Sequence, residues 1–163
     1  FRDNWNGSKD TDISVGAYHV LELDTDGTKQ SEHFINAVGE DLSGRLIPAV
    51  EVRLRGLYRL LPPDYYEAAD NLADFCDRIE KQYGVRPVIY CTERTYKNIV
   101  ASDSRFNKDK IWYESLFSKP DEDMDWTFWT YTNRVKFSFY ESGEYLHMTV
   151  FNGSEDDFKK LII

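Results

Sequence analysis

The sequence has few of the residues that build disulfide frameworks or metal centres. Its only cysteines among 163 residues are Cys76 and Cys91, and their spacing is not that of metal ligands. Cys76 falls within a predicted helix and Cys91 ends the next predicted strand. Because packed helices and strands lie about 10 Å apart, a bond between the two sulfur atoms is not expected. We therefore predict two small buried side chains, and no metal site and no cofactor.

Basic residues are also scarce, since 20 Lys and Arg stand against 29 Asp and Glu and give a formal net charge of -9. A protein that binds duplex nucleic acid needs a basic footprint, and an anionic membrane surface repels an acidic protein. No apolar run approaches the roughly 20 residues of a membrane span. We therefore expect neither nucleic acid nor a membrane as a partner.

Aromatic residues, in contrast, are plentiful, with 10 Phe, 11 Tyr and 4 Trp. Together with many carboxylates they fit a carbohydrate site, where rings stack on sugars, and they fit an aromatic core equally well. The length is that of one domain, and we predict a single domain over residues 1–163. Since Phe1 is not a natural start, we expect this domain to belong to a longer chain.

Strand and helix patterns alternate along most of the chain. The helix with the strongest pattern follows the capping residue Asp64, because apolar side chains recur at i, i+3 and i+4 as far as Gly84. Strands are predicted over residues 14–23, 46–52, 86–91, 111–116, 126–131 and 146–151. Further helices are predicted over residues 28–38, 93–101 and 154–163. Strand–helix units followed by helix-free strands predict an α/β fold.

Several segments, in this order, resemble glycoside hydrolase family 25, the muramidase-type lysozymes that cut peptidoglycan. They are Phe1–Asn4, Val15–His19, Asp24–Gly27, Ile47–Val52, Tyr83–Tyr90, Ile111–Trp112, Trp126–Trp129 with Tyr131, and Val150–Phe158. The resemblance implies an irregular TIM-like β/α barrel whose last strands carry no helices. It also implies peptidoglycan or a related glycan as partner, and an extracellular or cell-wall location.

The sequence departs from the family pattern at the acids on which catalysis depends. The family opens with a strand that carries a catalytic Asp, and this chain starts downstream of that strand. The family's Asp-x-Glu motif here begins with Glu51 and ends with Arg53. Its later Asp-x-Asn motif begins with His147, and a Gln that usually follows the paired tryptophans is Thr130. The resemblance therefore extends over nearly the whole chain but does not include the acids that the family uses in catalysis.

These departures bear directly on glycosidic cleavage, which needs a protonated carboxyl group and a second group that stabilises or attacks the sugar cation. A guanidinium such as that of Arg53 stays charged and gives up no proton at neutral pH. Side chains at i and i+2 share a strand face, so Arg53 is expected to meet Glu51 and to favour its ionised form. His147 can move protons but cannot replace a fixed anion. We predict that the standard chemistry is lost, with Glu51 as the remaining candidate catalytic carboxylate.

The resemblance also indicates side chains that would contact a sugar. Tyr18 matches a tyrosine of the family groove, and with His19 it either contacts substrate or fills the interior, with the histidine hydrogen-bonded internally. Trp112, Trp129 and Tyr131 are the predicted stacking platform. Because side chains alternate along a strand, part of this aromatic segment is expected to lie in the core.

Other acidic residues receive simpler interpretations. Asp24 and Asp26 resemble a calcium or catalytic pair, but an Asp-Gly sequence after a strand is more often a turn. The acidic run at residues 121–125 is interpreted as a solvated loop, and not as a cation site.

Three functions remain open from the sequence. The favoured one is a catalytically degenerate lysozyme-like domain that binds wall glycan or another wall-associated partner. The second is an active glycosidase centred on Glu51, with His147 or an upstream Asp as its partner. The third is a protein–protein interaction module on the same scaffold. A barrel without its first strand would also expose a sheet edge, through which the chain could self-associate.

Overall fold

The sheet that carries the site contains six strands in the computed structural model, which describes residues 1–137 and 145–163. The strands are β1 (Tyr18–Val20), β2 (Ala49–Val52), β3 (Val88–Thr92), β4 (Ile111–Glu114), β5 (Phe128–Val135) and β6 (Leu146–Phe151). They lie side by side in chain order. Strands β1 to β5 are parallel, and β6 runs antiparallel to β5.

Five helices accompany the sheet in the described part of the chain. They are α1 (Arg2–Gly7), α2 (Gly27–Val38), α3 (Tyr65–Tyr83), α4 (Glu93–Thr95) and α5 (Glu155–Lys159). Helix α4 continues into a wider π-helical turn at Tyr96–Val100, which together correspond to the helix predicted over residues 93–101. Short 3-10 turns occupy Ser8–Asp10, Gly56–Arg59 and Ser104–Phe106.

The α/β class is confirmed, whereas the predicted barrel is not seen within the described residues. There, β1 and β6 each pair with one neighbour, so the mixed sheet is open. Closure requires the two edge strands to meet, and six strands are fewer than the eight of a TIM-like barrel. The residues between β4 and β5 contain no helix, as the sequence predicts for the last strands.

Helix α3 has the cap, the end and the buried face that the sequence pattern predicts. The Asp64 carboxylate accepts hydrogen bonds from the backbone N–H groups of Tyr66 and Glu67, which satisfies two free donors at the helix start. At the other end, Gly84 has φ 74°, a left-handed conformation that glycine adopts without a steric penalty. The buried face comprises Ala68, Ala69, Leu72, Ala73, Phe75, Cys76 and Ile79. This is the apolar face that the helical spacing predicts.

Helices α2 and α3 approach each other closely at Gly27. A Cβ atom at this position would lie 1.9 Å from the backbone oxygen of Asn71, so a larger residue would push the helices apart. Asp26 caps α2 by accepting a hydrogen bond from the Lys29 N–H at 2.9 Å. The predicted turn at residues 24–27 is therefore a helix start.

The two faces of the sheet have different neighbours. Val50, Val52, Ile89 and Cys91 alternate along β2 and β3 and join the hydrophobic core that contains the buried face of α3. Intervening residues such as Glu51 point to the opposite face. Cys76 and Cys91 are both buried and free, and their predicted burial is confirmed. In the described part of the chain, every helix is too short or too polar to cross a membrane.

Candidate functional site

A cleft of about 520 Å³ opens on the sheet face that points away from the core. Its lining comes from β1 to β6 and from the loop after β2. The lining residues are Tyr18, Ala49, Glu51, Arg53, Arg55, Arg59, Tyr90, Trp112, Thr130 and His147. Parallel strands bring their carboxyl ends to one edge of a sheet, which is where open α/β proteins bind ligands. Three of these residues, Glu51, Arg53 and His147, occupy positions at which the sequence departs from the acids of the resembled family.

Arg53 lies at the centre of the polar part of this cleft. Its Nε donates to Glu51 Oε1 at 2.6 Å, so the contact predicted from the i, i+2 spacing is confirmed. The second oxygen of Glu51 accepts a hydrogen bond from Arg55 at 2.9 Å. Glu51 is buried, with 7% of its side chain exposed, and two guanidinium groups share its charge.

A second buried carboxylate, Glu114 at the end of β4, binds the other edge of the Arg53 guanidinium. Arg53 Nη1 and Nη2 donate to the two Glu114 oxygens at 3.0 and 2.6 Å, which is the bidentate geometry of strong arginine–carboxylate pairs. The Tyr90 hydroxyl accepts a hydrogen bond from Arg53 at 3.1 Å and donates one to Glu114. The sequence reasoning missed both residues.

A signal for Glu114 was present in the sequence. The predicted strands 46–52 and 111–116 place Glu51 and Glu114 near their carboxyl ends, and those ends meet at the same edge of a parallel sheet. Their proximity required only that β2 and β4 be near neighbours, which single-sequence patterns do not specify. Tyr90, on the intervening β3, pairs with Glu51 on one side and Trp112 on the other.

Hydrogen bonding in this network determines the charge states. Burial alone would raise the pKa of Glu114, but hydrogen bonds from Arg53 and Tyr90 hold the pKa below its usual value. Burial and the hydrogen bond to Glu114 raise the pKa of the Tyr90 hydroxyl. Burial opposes the charge on Arg53, yet the carboxylates raise its pKa further. The network therefore contains an ionised Glu114, a neutral tyrosine and a permanently charged arginine at neutral pH.

The predicted sugar-contacting residues Tyr18 and Trp112 both line the cleft. Tyr18 is 62% exposed at the start of β1, so its ring is available to a ligand. Trp112 is half-buried and fixed by a hydrogen bond from its Nε1 to Thr130 Oγ1 at 2.8 Å. Its ring centroid lies 4.8 Å from that of Tyr90. His147, from β6, completes the lining on this side.

His19, Trp129 and Tyr131 lie outside this cleft. The His19 ring stacks on Phe75 of α3 with centroids 5.1 Å apart, because alternation along β1 turns it towards the helices. It is hydrogen-bonded to Gln30 at 3.1 Å, and burial lowers its pKa. Trp129 packs against the core and Tyr131 is 40% exposed. Their predicted role in sugar binding therefore has no support from this cleft.

The remaining acidic candidates have local partners. Asp26 caps α2, and Asp24 accepts a hydrogen bond from the Tyr58 hydroxyl at 2.6 Å. No group of three or more His, Cys, Asp or Glu side chains within residues 1–137 and 145–163 is arranged to hold a metal ion. Within the described cleft, the geometry offers aromatic surface, hydroxyl groups and paired charges to a ligand.

Known proteins are similar to this chain in sequence and in fold. The family model described as Glycosyl hydrolases family 25 matches residues 1–138. A family 25 glycosyl hydrolase from Bacillus anthracis is 30% identical, with a TM-score of 0.86, and the match covers 100% of this chain and 75% of that one. A bacterial lysozyme from Streptomyces coelicolor shares the fold at 22% identity and a TM-score of 0.80, over 99% of this chain and 78% of that one.

A curated relative, the uncharacterized protein YegX of Escherichia coli O157:H7, is 27% identical over 165 residues. The match covers 99% of this chain and 57% of that protein, so the chain spans little more than half the length of this relative. The family model matches residues 1–138, and the match to the Bacillus anthracis structure covers the whole of this chain. This chain therefore belongs to glycosyl hydrolases family 25.

Proposed function

We propose that this domain binds cell-wall glycan without hydrolysing it. Family membership supports a relationship to peptidoglycan muramidases. The observation that carries the proposal is the position of Arg53, which lines the cleft and ion-pairs with both Glu51 and Glu114. A guanidinium at this point removes both carboxylates from proton transfer.

The absence of an available acid follows from the charge states of the network. A general acid must be protonated at working pH, and enzymes achieve this by raising the pKa of a carboxyl group. The pKa of Glu114 is shifted the opposite way, since the hydrogen bonds from Arg53 and Tyr90 outweigh its burial. Glu51 accepts charge-assisted hydrogen bonds on both oxygens. Neither carboxylate is poised to protonate a leaving oxygen.

Glycan binding is supported by the aromatic lining. Tyr18 presents an exposed ring, and Trp112 is held rigidly by Thr130, so little side-chain entropy is lost when a sugar stacks on it. The cleft is open to solvent along the strand ends, as a polymeric ligand requires. Wall glycan as ligand and an extracellular or cell-wall location are part of this proposal. The proposal also includes one of two alternatives for the β1 edge, which are self-association or closure of the sheet into a barrel by further strands.

Hydrolysis is tested by mixing the full-length protein with purified cell walls and following turbidity and newly formed reducing ends. We expect no release above the background of a heat-inactivated sample. Release that disappears in Glu51→Gln would establish the second candidate, an active glycosidase centred on Glu51, and would overturn the proposal. Activity that appears only after Arg53→Glu and His147→Asp would agree with a degenerate site.

Binding is tested by co-sedimentation with the same walls, using two tyrosine variants. Tyr18→Ala removes an exposed ring inside the cleft, whereas Tyr131→Ala removes an exposed ring outside it. We expect Tyr18→Ala to weaken binding by about tenfold, since one stacked ring contributes about 1–2 kcal/mol. Tyr131→Ala serves as the matched control. Complete absence of wall binding by the natural protein would favour a protein–protein interaction module.

A further inference from the structure

The cleft is one end of a longer groove along the carboxyl ends of the strands. A cavity of about 230 Å³ adjoins it, and Arg53 and Arg59 line both spaces. Beyond this, Thr92 and Arg94 are shared with a third cavity of about 450 Å³. The three spaces therefore form a continuous path from β1, past the end of β3, to the loop after β4. A groove of this length suits a chain molecule better than a single sugar.

The charge of this groove is opposite to the charge of the protein. Its lining includes five cations and three carboxylates, a formal net charge of +2, in a chain of net charge -9. The cations are Arg53, Arg55, Arg59, Arg94 and Lys97, and the carboxylates are Glu51, Glu93 and Glu114. A concave surface lined by charge of one sign concentrates ligands of the other sign.

Two of these cations have no carboxylate of their own. Arg53 and Arg55 pair with Glu51 or Glu114, and Lys97 pairs with Glu93 at 2.6 Å. Within the described residues, the Arg59 side chain makes no ion pair, and Arg94 donates only to the Arg59 backbone oxygen at 3.1 Å. Both side chains are exposed at the junction of the three cavities. Within the described residues, the Arg59 guanidinium and the remaining N–H groups of Arg94 are therefore available for contact with an oxyanion.

Resting on the proposed function, we infer that Arg59 and Arg94 form an anion subsite that selects wall polymers bearing carboxylate or phosphate groups. The aromatic end at Tyr18 and Trp112 holds sugar rings, and the arginine end holds the anionic substituent. The buried network around Arg53 separates the two ends. Its own charges are satisfied internally, so the selectivity resides in the two free arginines.

The test measures equilibrium binding of three probes to the full-length protein by calorimetry. The probes are neutral chitotetraose, a tetrasaccharide of alternating N-acetylglucosamine and carboxylate-bearing N-acetylmuramic acid, and poly(glycerol phosphate). Each is measured at about 20 mM and about 200 mM salt, where screening differs strongly. We expect at least one anionic probe to bind more tightly than chitotetraose at low salt, and the difference to shrink at high salt. The probe that binds more tightly identifies carboxylate or phosphate as the preferred group.

The double variant Arg59→Gln/Arg94→Gln should weaken the anionic probe by about tenfold or more, as expected for the loss of charge-assisted hydrogen bonds. Its affinity for chitotetraose, which offers no charge to the two guanidinium groups, should fall by a smaller factor than its affinity for the anionic probe, although Arg59 also lines the cleft. Arg78→Gln on α3, outside the groove, is the matched control for a change in net charge and should alter neither affinity by more than about twofold. The folded state of each variant is checked by its thermal midpoint.

The outcomes separate this inference from the function on which it rests. If chitotetraose binds and neither anionic probe binds more tightly, the subsite is overturned and glycan binding stands. If the double variant retains its full affinity for the anionic probes, the subsite is likewise overturned. If no probe binds at all, the proposed function itself has failed.

Discussion

Arg53 and Arg86 lie at opposite ends of the sheet, and each forms an ion pair with a buried carboxylate. Each side chain is 24% exposed, and each binds a buried carboxylate with two hydrogen bonds. Arg86 precedes β3 and pairs with Asp109 at the amino ends of the strands, whereas Arg53 follows β2 and pairs with Glu114 at the carboxyl ends. Arg53 lines the cleft of about 520 Å³, whereas Arg86 and Asp109 do not.

The remaining partners of the two arginines differ in exposure. Arg86 also binds Asp77 and Glu80, whose side chains are 69% and 49% exposed. Arg53 also binds Glu51, which is 7% exposed and is itself shared with Arg55. One arginine thus joins surface elements to a single buried acid, while the other closes a buried network. The difference teaches that the same kind of ion pair joins surface elements at one end of the sheet and lies beside a cleft at the other.

The largest expected effect is that of Arg86→Gln on stability. It leaves Asp109, with 2% of its side chain exposed, without another cation among the described residues. Removing one partner of a buried pair lowers the free energy of unfolding by about 3 kcal/mol. Urea denaturation followed by circular dichroism measures this loss. An effect smaller than that of Arg53→Gln would reverse the comparison.

A smaller loss, about 2 kcal/mol, is expected for Arg53→Gln, because Glu51 keeps Arg55 and Glu114 keeps the Tyr90 hydroxyl. The same denaturation experiment applies. Tyr90→Phe in the Arg53→Gln background should then add a further loss, since Glu114 loses its remaining donor. If the loss of unfolding free energy in the double variant equals the sum of the losses in the two single variants, Arg53 and Tyr90 act independently.

The pH dependence sharpens the comparison, because the two buried acids are shifted in opposite directions. Burial, helped by Glu80 and Asp77 and opposed by Arg86, raises the pKa of Asp109 above its ordinary 3.8. The pKa of Glu114 is lowered from its ordinary 4.5, since donors outweigh burial. The Glu114 contribution is therefore present above pH 4.5 and is lost as pH falls through its folded pKa. The Asp109 contribution is present below pH 3.8 and is lost as pH rises through its folded pKa.

Unfolding free energies of Glu114→Gln and Asp109→Asn, measured between about pH 3 and about pH 7 against the natural protein, test these signs. The loss caused by Glu114→Gln should shrink towards acid pH. The loss caused by Asp109→Asn should grow towards acid pH. If both losses changed with pH in the same direction, the two carboxylates would not have the opposite pKa shifts assigned to them.

The smallest expected effect is that of Arg105→Gln, the exposed counterpart of both networks. Arg105 is 44% exposed and pairs with Asp70 and Asp103 near the surface. Exposed pairs contribute little, so we expect a loss below about 1 kcal/mol that salt reduces further. A loss comparable to that of Arg86→Gln would show that exposure is not what separates these arginines.

The sequence predicted those parts of the molecule that depend on local spacing. Helix α3, its cap at Asp64 and its end at Gly84 follow from residues adjacent in the chain. The contact between Arg53 and Glu51 follows from the pleat of one strand. In each case the interacting groups are within a few residues of each other, so backbone geometry alone brings them together.

The contacts missed by sequence reasoning are those that span the sheet. Glu114 is 61 residues from Arg53, and their meeting depends on the order of β2, β3 and β4. His19 and Trp129 were candidate sugar contacts because they fall within segments that resemble the family's motifs. Alternation puts each on the core side of the sheet, where His19 stacks on Phe75. Which of the two faces carries the cleft is a tertiary property that no local pattern encodes.

The hydrogen bonds that join Arg53, Glu114 and Tyr90 also determine what an acid at position 53 would meet. Arg53→Glu by itself would place a third carboxylate beside Glu51 and Glu114 and would leave Arg55 as their one paired guanidinium among the described residues. Like charges at this spacing repel strongly when buried. Arg53→Glu alone is therefore expected to lower the free energy of unfolding, so an acid at position 53 would be gained together with a less stable fold.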